Sequence, residues 1–392
     1  MARQAMIVGG GMGGLAAALA CARAGWEARV YEQAGAFSEV GAGIQLGPNS
    51  TRILTEWGLD GALARVAAFP ARLRVRSALD GAELAQLRLG ADFTTRYGDP
   101  YATVHRADLQ ALLLDAARDN GVLPRLGCRV TAVFPSEESV ALRIESDGEA
   151  EGDALVGADG VWSDVRAQVW RDSAAASTGH LAYRGLVAQQ DLPAALRSQE
   201  ITVWLGPRMH LVAYPVRGGD QLNVVAIVQG ATQERPQHWN HAGNRTDLDA
   251  EMGQLCASLR DLVHAMPGWR LWVLHARAPV ASADEMVRGR VVLLGDAAHP
   301  MRPYFAQGAG MAIEDARELG HSLSAVSHGE IDVPMALRRY AFGRWQRCAR
   351  VQDLSRRNGR IFHATGFARW GRDLSLRLLG ERLLDQPWLY GR

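Results

Sequence analysis

The stretch "QAMIVGGGMGGLAAALACARAGWEARVYEQ", residues 4–33, constrains the chain more than any other. Its opening apolar run has the character of a fully buried parallel strand. "GLAAALACARAG" then supplies strong helix formers and closes on Gly25, a helix C-cap. Between them Gly9, Gly11 and Gly14 fit the spacing G-x-G-x-x-G. The first permits a tight turn, the second lets backbone approach a pyrophosphate, and the third lets the helix lie close to its strand. The following strand ends on Glu32, at the distance where an acid accepts from ribose hydroxyls. Strand, glycines, helix, strand and acid in this order predict a dinucleotide site. They do not say which dinucleotide.

The rest of the composition narrows the classes. A chain of 392 residues predicts two interleaved domains. Its formal charge of +1 offers no basic field for nucleic acid. All 43 basic residues are arginine, which excludes Schiff-base chemistry and a P-loop lysine. Cys21, Cys128, Cys256 and Cys348 are too scattered for a metal cluster or disulfide framework. His238 and His241 have no nearby acid or cysteine to complete a ligand set, so no metal is expected. No run reaches the ~20 apolar residues of a membrane span, and the first strand starts too early to leave room for a signal peptide. The expected location is the cytoplasm.

Two distant stretches carry the next step. "ALVGADGVWSDVR" (154–166) reads as a strand, a turn at Asp159-Gly160 and a helix. "RVVLLGDAAHPMRPYFAQGAGMAIEDA" (290–316) reads as a buried strand, Gly295-Asp296, a proline-bearing loop and a helix from about Gly308. With the opening fingerprint these stand in the order that marks the group A flavoprotein aromatic hydroxylases, and nearly the whole chain resembles that family. "GAGIQLGPNS", "HRADLQALLL", "HLAYRG" and "GDAAHPM" most resemble its members acting on 3-hydroxybenzoate, salicylate and 6-hydroxynicotinate.

The resemblance implies FAD as the dinucleotide, NADH or NADPH as a transient reductant, and O2 as co-substrate. It implies hydroxylation of a small aromatic acid through a flavin C4a-hydroperoxide. Asp296 would bind a ribityl or ribose hydroxyl, Arg106 would reach the pyrophosphate, and Asp159 with Gly160 would lie near FAD and the nicotinamide. In the loop from Pro303, Gly308, Gly310 and Met311 would present a helix N-terminus to the charge near flavin N1 and O2.

Residues 180–228 alternate strands with turn signals, predicting a mostly antiparallel sheet. In "MHLVAYP" the side chains of His210, Val212 and Tyr214 share one face. His210 is the candidate base or hydrogen-bond partner for a substrate hydroxyl, and Tyr214 the orienting group. Gln45, Arg184, Trp204 and Tyr304 are further pocket candidates; Arg184 suits a carboxylate. His299 is assigned to its loop and not to catalysis. Pro303 stands where the 3-hydroxybenzoate enzymes carry glutamine, and Gln45 where the hydroxynicotinate enzyme carries histidine, so the substrate stays open between hydroxybenzoate and hydroxypyridine types. A flavin-dependent dehydrogenase or reductase is the other alternative.

The expected fold is α/β: a Rossmann-like FAD-binding domain (1–70, 100–175 and 275–392) with C-terminal helices, and an inserted, mostly antiparallel substrate sheet (71–99 and 176–274). The amphipathic tail is expected to pack on the body or on a second subunit, as in a homodimer.

Overall fold

The computed structural model describes residues 3–37, 42–145, 147–230 and 241–391. His238 lies outside them. The chain forms two units: Met1–Val40, Ala107–Ala176 and His275–Ser355 in the first, Gly41–Arg106, Ser177–Leu274 and Arg356–Arg392 in the second.

In the first unit a five-stranded sheet has the spatial order Val287–Arg288, Val291–Leu293, Ala154–Gly157, Gln4–Val8, Glu27–Tyr31. All neighbours are parallel except the first pair. The inner strands are buried from end to end, as parallel strands covered on both faces must be. The helix Met12–Arg23 packs along the helix Gly308–Ser327. Small residues allow the approach, since a Cβ on Gly320 would stand 3.0 Å from both the Cβ and the carbonyl oxygen of Ala20. A separate antiparallel sheet, Val130–Pro135, Val140–Ile144 and Gly148–Gly152, completes the unit.

The second unit is built on an eight-stranded sheet. Its order is His241–Gly243, Trp269–Ala276, Ala176–Ala188, Gln221–Gln229, Met209–Val216, Ile201–Gly206, Arg72–Ser77, Glu83–Arg88. The printed pairings are antiparallel except that of Ile201–Gly206 with Arg72–Ser77. One face holds an apolar cluster that includes Leu181, Tyr183, Trp204, Leu211, Ala226 and Val228. Side-chain alternation sends His210, Val212, Tyr214, Arg184 and Asn223 to the other face.

Residues 41–70, 100–106 and 356–392, expected with the dinucleotide-binding part, cluster with this sheet. The reason is specific pairing. Gly43–Leu46 pairs with Ala102–His105, Gly43 N donates to Asn223 Oδ1 (2.7 Å), and Thr103 Oγ1 donates to Pro215 O (2.5 Å). At the tail, Arg52 Nη2 donates to Tyr390 O (2.7 Å), and Tyr390 is buried. The helix Gly366–Leu379 turns Arg372 and Leu376 inward and leaves Phe367, Trp370, Leu374 and Leu378 exposed. Among the described residues no helix is long and apolar enough to cross a membrane.

The glycines of the fingerprint are not equivalent. A Cβ on Gly14 would collide with the carbonyl oxygen of Gly9, which is backbone and cannot step aside, whereas at Gly11 no described atom lies within 4 Å. Gly14→Ala is therefore expected to destabilise the protein by about 3 kcal/mol or more, while Gly11→Ala melts within a degree or two of the parent. Thermal unfolding of the two variants checks this, and equal midpoints would contradict it.

Candidate active site

The C-terminal ends of the three neighbouring parallel strands carry the three motifs: Gly9–Gly11, Ala158–Gly160 and Gly295–Asp296. This is where open α/β sheets bind their ligands. Gly9 takes φ +105°, and a Cβ there would meet Ala158 O at 2.5 Å. A Cβ on Gly13 would press on Leu294 Cδ2 at 2.9 Å and Ala312 Cβ at 3.4 Å, so the two helix N-termini and the Gly295 turn meet closely. Gly11 and Gly308 instead face open space. Asp296 is exposed on the turn after its strand. Two helix N-termini beside glycines open to approach, with an exposed carboxylate nearby, fit a dinucleotide such as FAD.

Other expected cofactor residues are engaged within the protein. Glu32 accepts from Gly10 N (2.6 Å) and Ala34 N (2.8 Å), which ties the glycine loop to the second strand. Asp159 accepts from Ser163 Oγ (2.5 Å) and Val165 N (3.0 Å), capping the short helix Asp164–Trp170. Met311 is corrected. Its side chain is fully buried with Sδ 3.8 Å from Arg344 Nη2, and its N–H donates to Gln307 O (2.8 Å), so it offers nothing to a ligand. Gly310 is buried in the first turn of the helix, while Pro303 and Tyr304 form a 3₁₀ turn in which Tyr304 is buried.

In the second unit, Arg106 opens the helix Arg106–Asp119, its N–H donating to Ala42 O (3.1 Å). On the polar sheet face, His210 lies opposite Leu205 and Ile227, Val212 opposite Val203 and Val225, and Tyr214 opposite Asn223. Arg184 joins the Val225 row from the next strand. Four residues of strand put His210 and Tyr214 about 13 Å apart, with Val212 between them. Arg184 lies with its Cζ 3.6 Å from the Trp272 ring centroid, and its buried Nε has no hydrogen-bond partner. Burial, then Arg106, lowers its pKa to about 10 against an opposing effect of Tyr214. Gln45 Oε1 accepts from Tyr101 OH (2.8 Å). Trp204 is corrected: it pairs with Leu211 and belongs to the apolar cluster on the opposite face.

Comparison with known proteins agrees with this geometry. The family model described as FAD binding domain matches residues 2–355. A 3-hydroxybenzoate 6-hydroxylase of Polaromonas naphthalenivorans is 38% identical over 98% of this chain and 95% of its own. The chain belongs to the FAD-dependent aromatic hydroxylases. A 3-amino-4-hydroxybenzoate 2-monooxygenase of Streptomyces platensis is also 38% identical, over 98% and 95% of the two chains. The structure of Klebsiella pneumoniae HpxO complexed with FAD and uric acid superposes with a TM-score of 0.85 at 26% identity, covering 97% of this chain and 94% of that one. The family and fold expected from three ordered motifs are borne out.

What the sequence reading missed in the hydroxylase is the scaffold behind the motifs. Arg166, three residues past Ser163 in its own motif, donates to Ala298 O (2.8 Å) and Ala297 O (3.3 Å), joining two of the turns. His299, assigned to its loop, meets Asp315 Oδ2 at 2.6 Å, and Gly295 N donates to the same oxygen (3.0 Å). Arg344 Nε donates to Asp315 Oδ1 (2.7 Å) and Nη1 to Glu314 Oε2 (2.7 Å). The Gly295–Asp296 turn is thus held to the Gly308 helix through one carboxylate. Burial alone would raise the Asp315 pKa. The charges of His299 and Arg344 outweigh it and hold the carboxyl well below its ordinary range.

A depressed folded pKa contributes stability above the unfolded value, lost as pH falls through the folded one. Asp315→Asn should therefore lower stability at pH 7 by about 3–5 kcal/mol, leaving buried cations without their counter-charge. It should also flatten the acid side of the stability profile. Thermal midpoints between pH 3 and 8 measure both, and parallel profiles for the two proteins would contradict the assignment.

Proposed function

We propose that this hydroxylase acts on an aromatic carboxylic acid bearing a ring hydroxyl, using O2 with NADH or NADPH as reductant. The observation that carries the substrate class is Arg184, a guanidinium with no carboxylate partner among the described residues. A buried cation of this kind is stabilised by an anion brought by the ligand, and a carboxylate matches its fork. The names of both curated relatives describe carboxylated phenols, which supports the reading.

Bound FAD supplies electron transfer from the nicotinamide and the activation of oxygen. The protein's part is to hold the ring and manage a proton. Tyr214 is fixed because its ring fills the space beside Gly43, where a Cβ would collide with it. With Arg184 on the carboxylate, Val212 gives the ring an apolar floor. His210 is the candidate base. Burial first, then His363 and His180, hold its pKa well below the ordinary value. It is thus neutral near pH 7, the form that accepts a proton from the substrate hydroxyl and raises the electron density of the ring.

Two measurements follow. NAD(P)H oxidation by the FAD-loaded protein should be slow alone and rise at least tenfold with a hydroxybenzoate or hydroxynicotinate that it hydroxylates; equal rates with and without every such acid would sink the reading. Arg184→Met should raise KM for the acid roughly tenfold to a hundredfold, as expected for the loss of charge-assisted hydrogen bonds. The corresponding phenol lacking the carboxylate should bind parent and variant alike. An unchanged KM for the acid would remove Arg184 from the substrate.

A further inference from the structure

We propose that His363 is a positioning residue for His210: it fixes which nitrogen of that imidazole carries the proton. The inference rests on the reading of His210 as the base.

The two histidines are 153 positions apart in sequence, yet His210 Nδ1 lies 2.8 Å from His363 Nε2 and both side chains are buried. At that distance one nitrogen must donate and the other accept, so one proton lies between the rings. If Nδ1 of His210 donates, its Nε2 is left with a lone pair and can act as a base. If His363 donates, Nε2 of His210 holds a proton and cannot. His210 is therefore competent only when His363 accepts through Nε2 and carries its own proton on Nδ1. A second group that sets the tautomer is a general requirement for a histidine base.

The surroundings hold His363 in place. It follows directly on the helix Val333–Phe362, and its carbonyl oxygen accepts from Arg208 N (3.1 Å), two residues from His210. Arg372 Nη1 donates to Phe362 O (2.7 Å) and Ile361 O (3.3 Å), fastening the same helix end. The Phe362 ring meets His210 edge-on at 5.2 Å, and the His180 ring meets His363 edge-on at 5.0 Å. The titratable groups acting on His210 are His363 from the helix end and His180 from the strand Ala176–Ala188. Its cross-strand neighbours Leu205 and Ile227 are apolar.

The proton balance is simple. The substrate hydroxyl gives its proton to His210 Nε2, leaving a phenolate and an imidazolium. The imidazolium Nδ1–H stays hydrogen-bonded to His363 Nε2, which shares the positive charge. On release of product the proton leaves from Nε2, and the dyad returns to its starting tautomers.

The test compares the parent, His363→Phe, His363→Gln and His210→Asn as FAD-loaded proteins, together with histidine ¹⁵N NMR on the parent and His363→Phe. In the parent, His210 should be the Nδ1-protonated tautomer. In His363→Phe it should shift toward the Nε2-protonated form, and product per NAD(P)H should fall about tenfold or more while flavin reduction keeps its rate. His363→Gln offers an amide oxygen to Nδ1–H and should recover most of that loss. An Nε2-protonated His210 in the parent overturns the proposal, whether or not any variant folds. So does a His363→Phe protein with parental coupling, provided that His210→Asn is impaired. Full hydroxylation by His210→Asn would instead overturn the base reading on which the proposal rests.

Discussion

The carbonyl oxygen of Gly9 occupies the place where any side chain on residue 14 would begin. That contact lets the helix Met12–Arg23 start almost on top of the strand before it, with its first N–H groups facing the end of the sheet. The rest of the dinucleotide site is arranged around that point. Gly13 brings Leu294 and Ala312 into contact with the same helix, and Ala158 packs beneath Gly9. Three motifs that are far apart in sequence therefore converge because small residues let their backbones touch. The Asp315 network then fixes the arrangement, since one carboxylate accepts from the Gly295 turn and meets both His299 and Arg344.

The large sheet applies a different constraint. Its two faces are chemically opposed: one is an apolar cluster, while the other carries His180, His210, Arg184, Tyr214 and Asn223 among aliphatic neighbours. A strand cannot move one residue along its partner without exchanging these faces. The register therefore fixes the layout of the polar face as firmly as it fixes the core. Arg184 is the residue whose charge is least compensated there, which is why the substrate's carboxylate follows from it.

The parts legible in the sequence were those with a local pattern. The fingerprint, the Asp159-Gly160 turn and the Gly295-Asp296 turn each sit in a short stretch where spacing reflects geometry. Alternation placed His210, Val212 and Tyr214 on one face, as found. The same rule could not place Trp204, because its face depends on the register that pairs it with Leu211. Met311 looked like part of a glycine-rich loop, but the helix has already begun there and turns its side chain into the interior. His363 lay beyond any local signal: its partner is on a strand 153 residues away, and only the return of the C-terminal segment to the large sheet joins them. That return also explains why 356–392 cluster with the sheet and not with the dinucleotide unit.

The central claim is that this chain inserts an oxygen atom from O2 into an aromatic acid. The most direct measurement is turnover under ¹⁸O2 with a hydroxybenzoate panel, followed by mass spectrometry of the products. The account predicts a hydroxylated acid carrying one ¹⁸O atom, formed in step with NAD(P)H consumption. A product labelled only from water, or NAD(P)H consumption that yields hydrogen peroxide and no hydroxylated acid with any member of the panel, would contradict it.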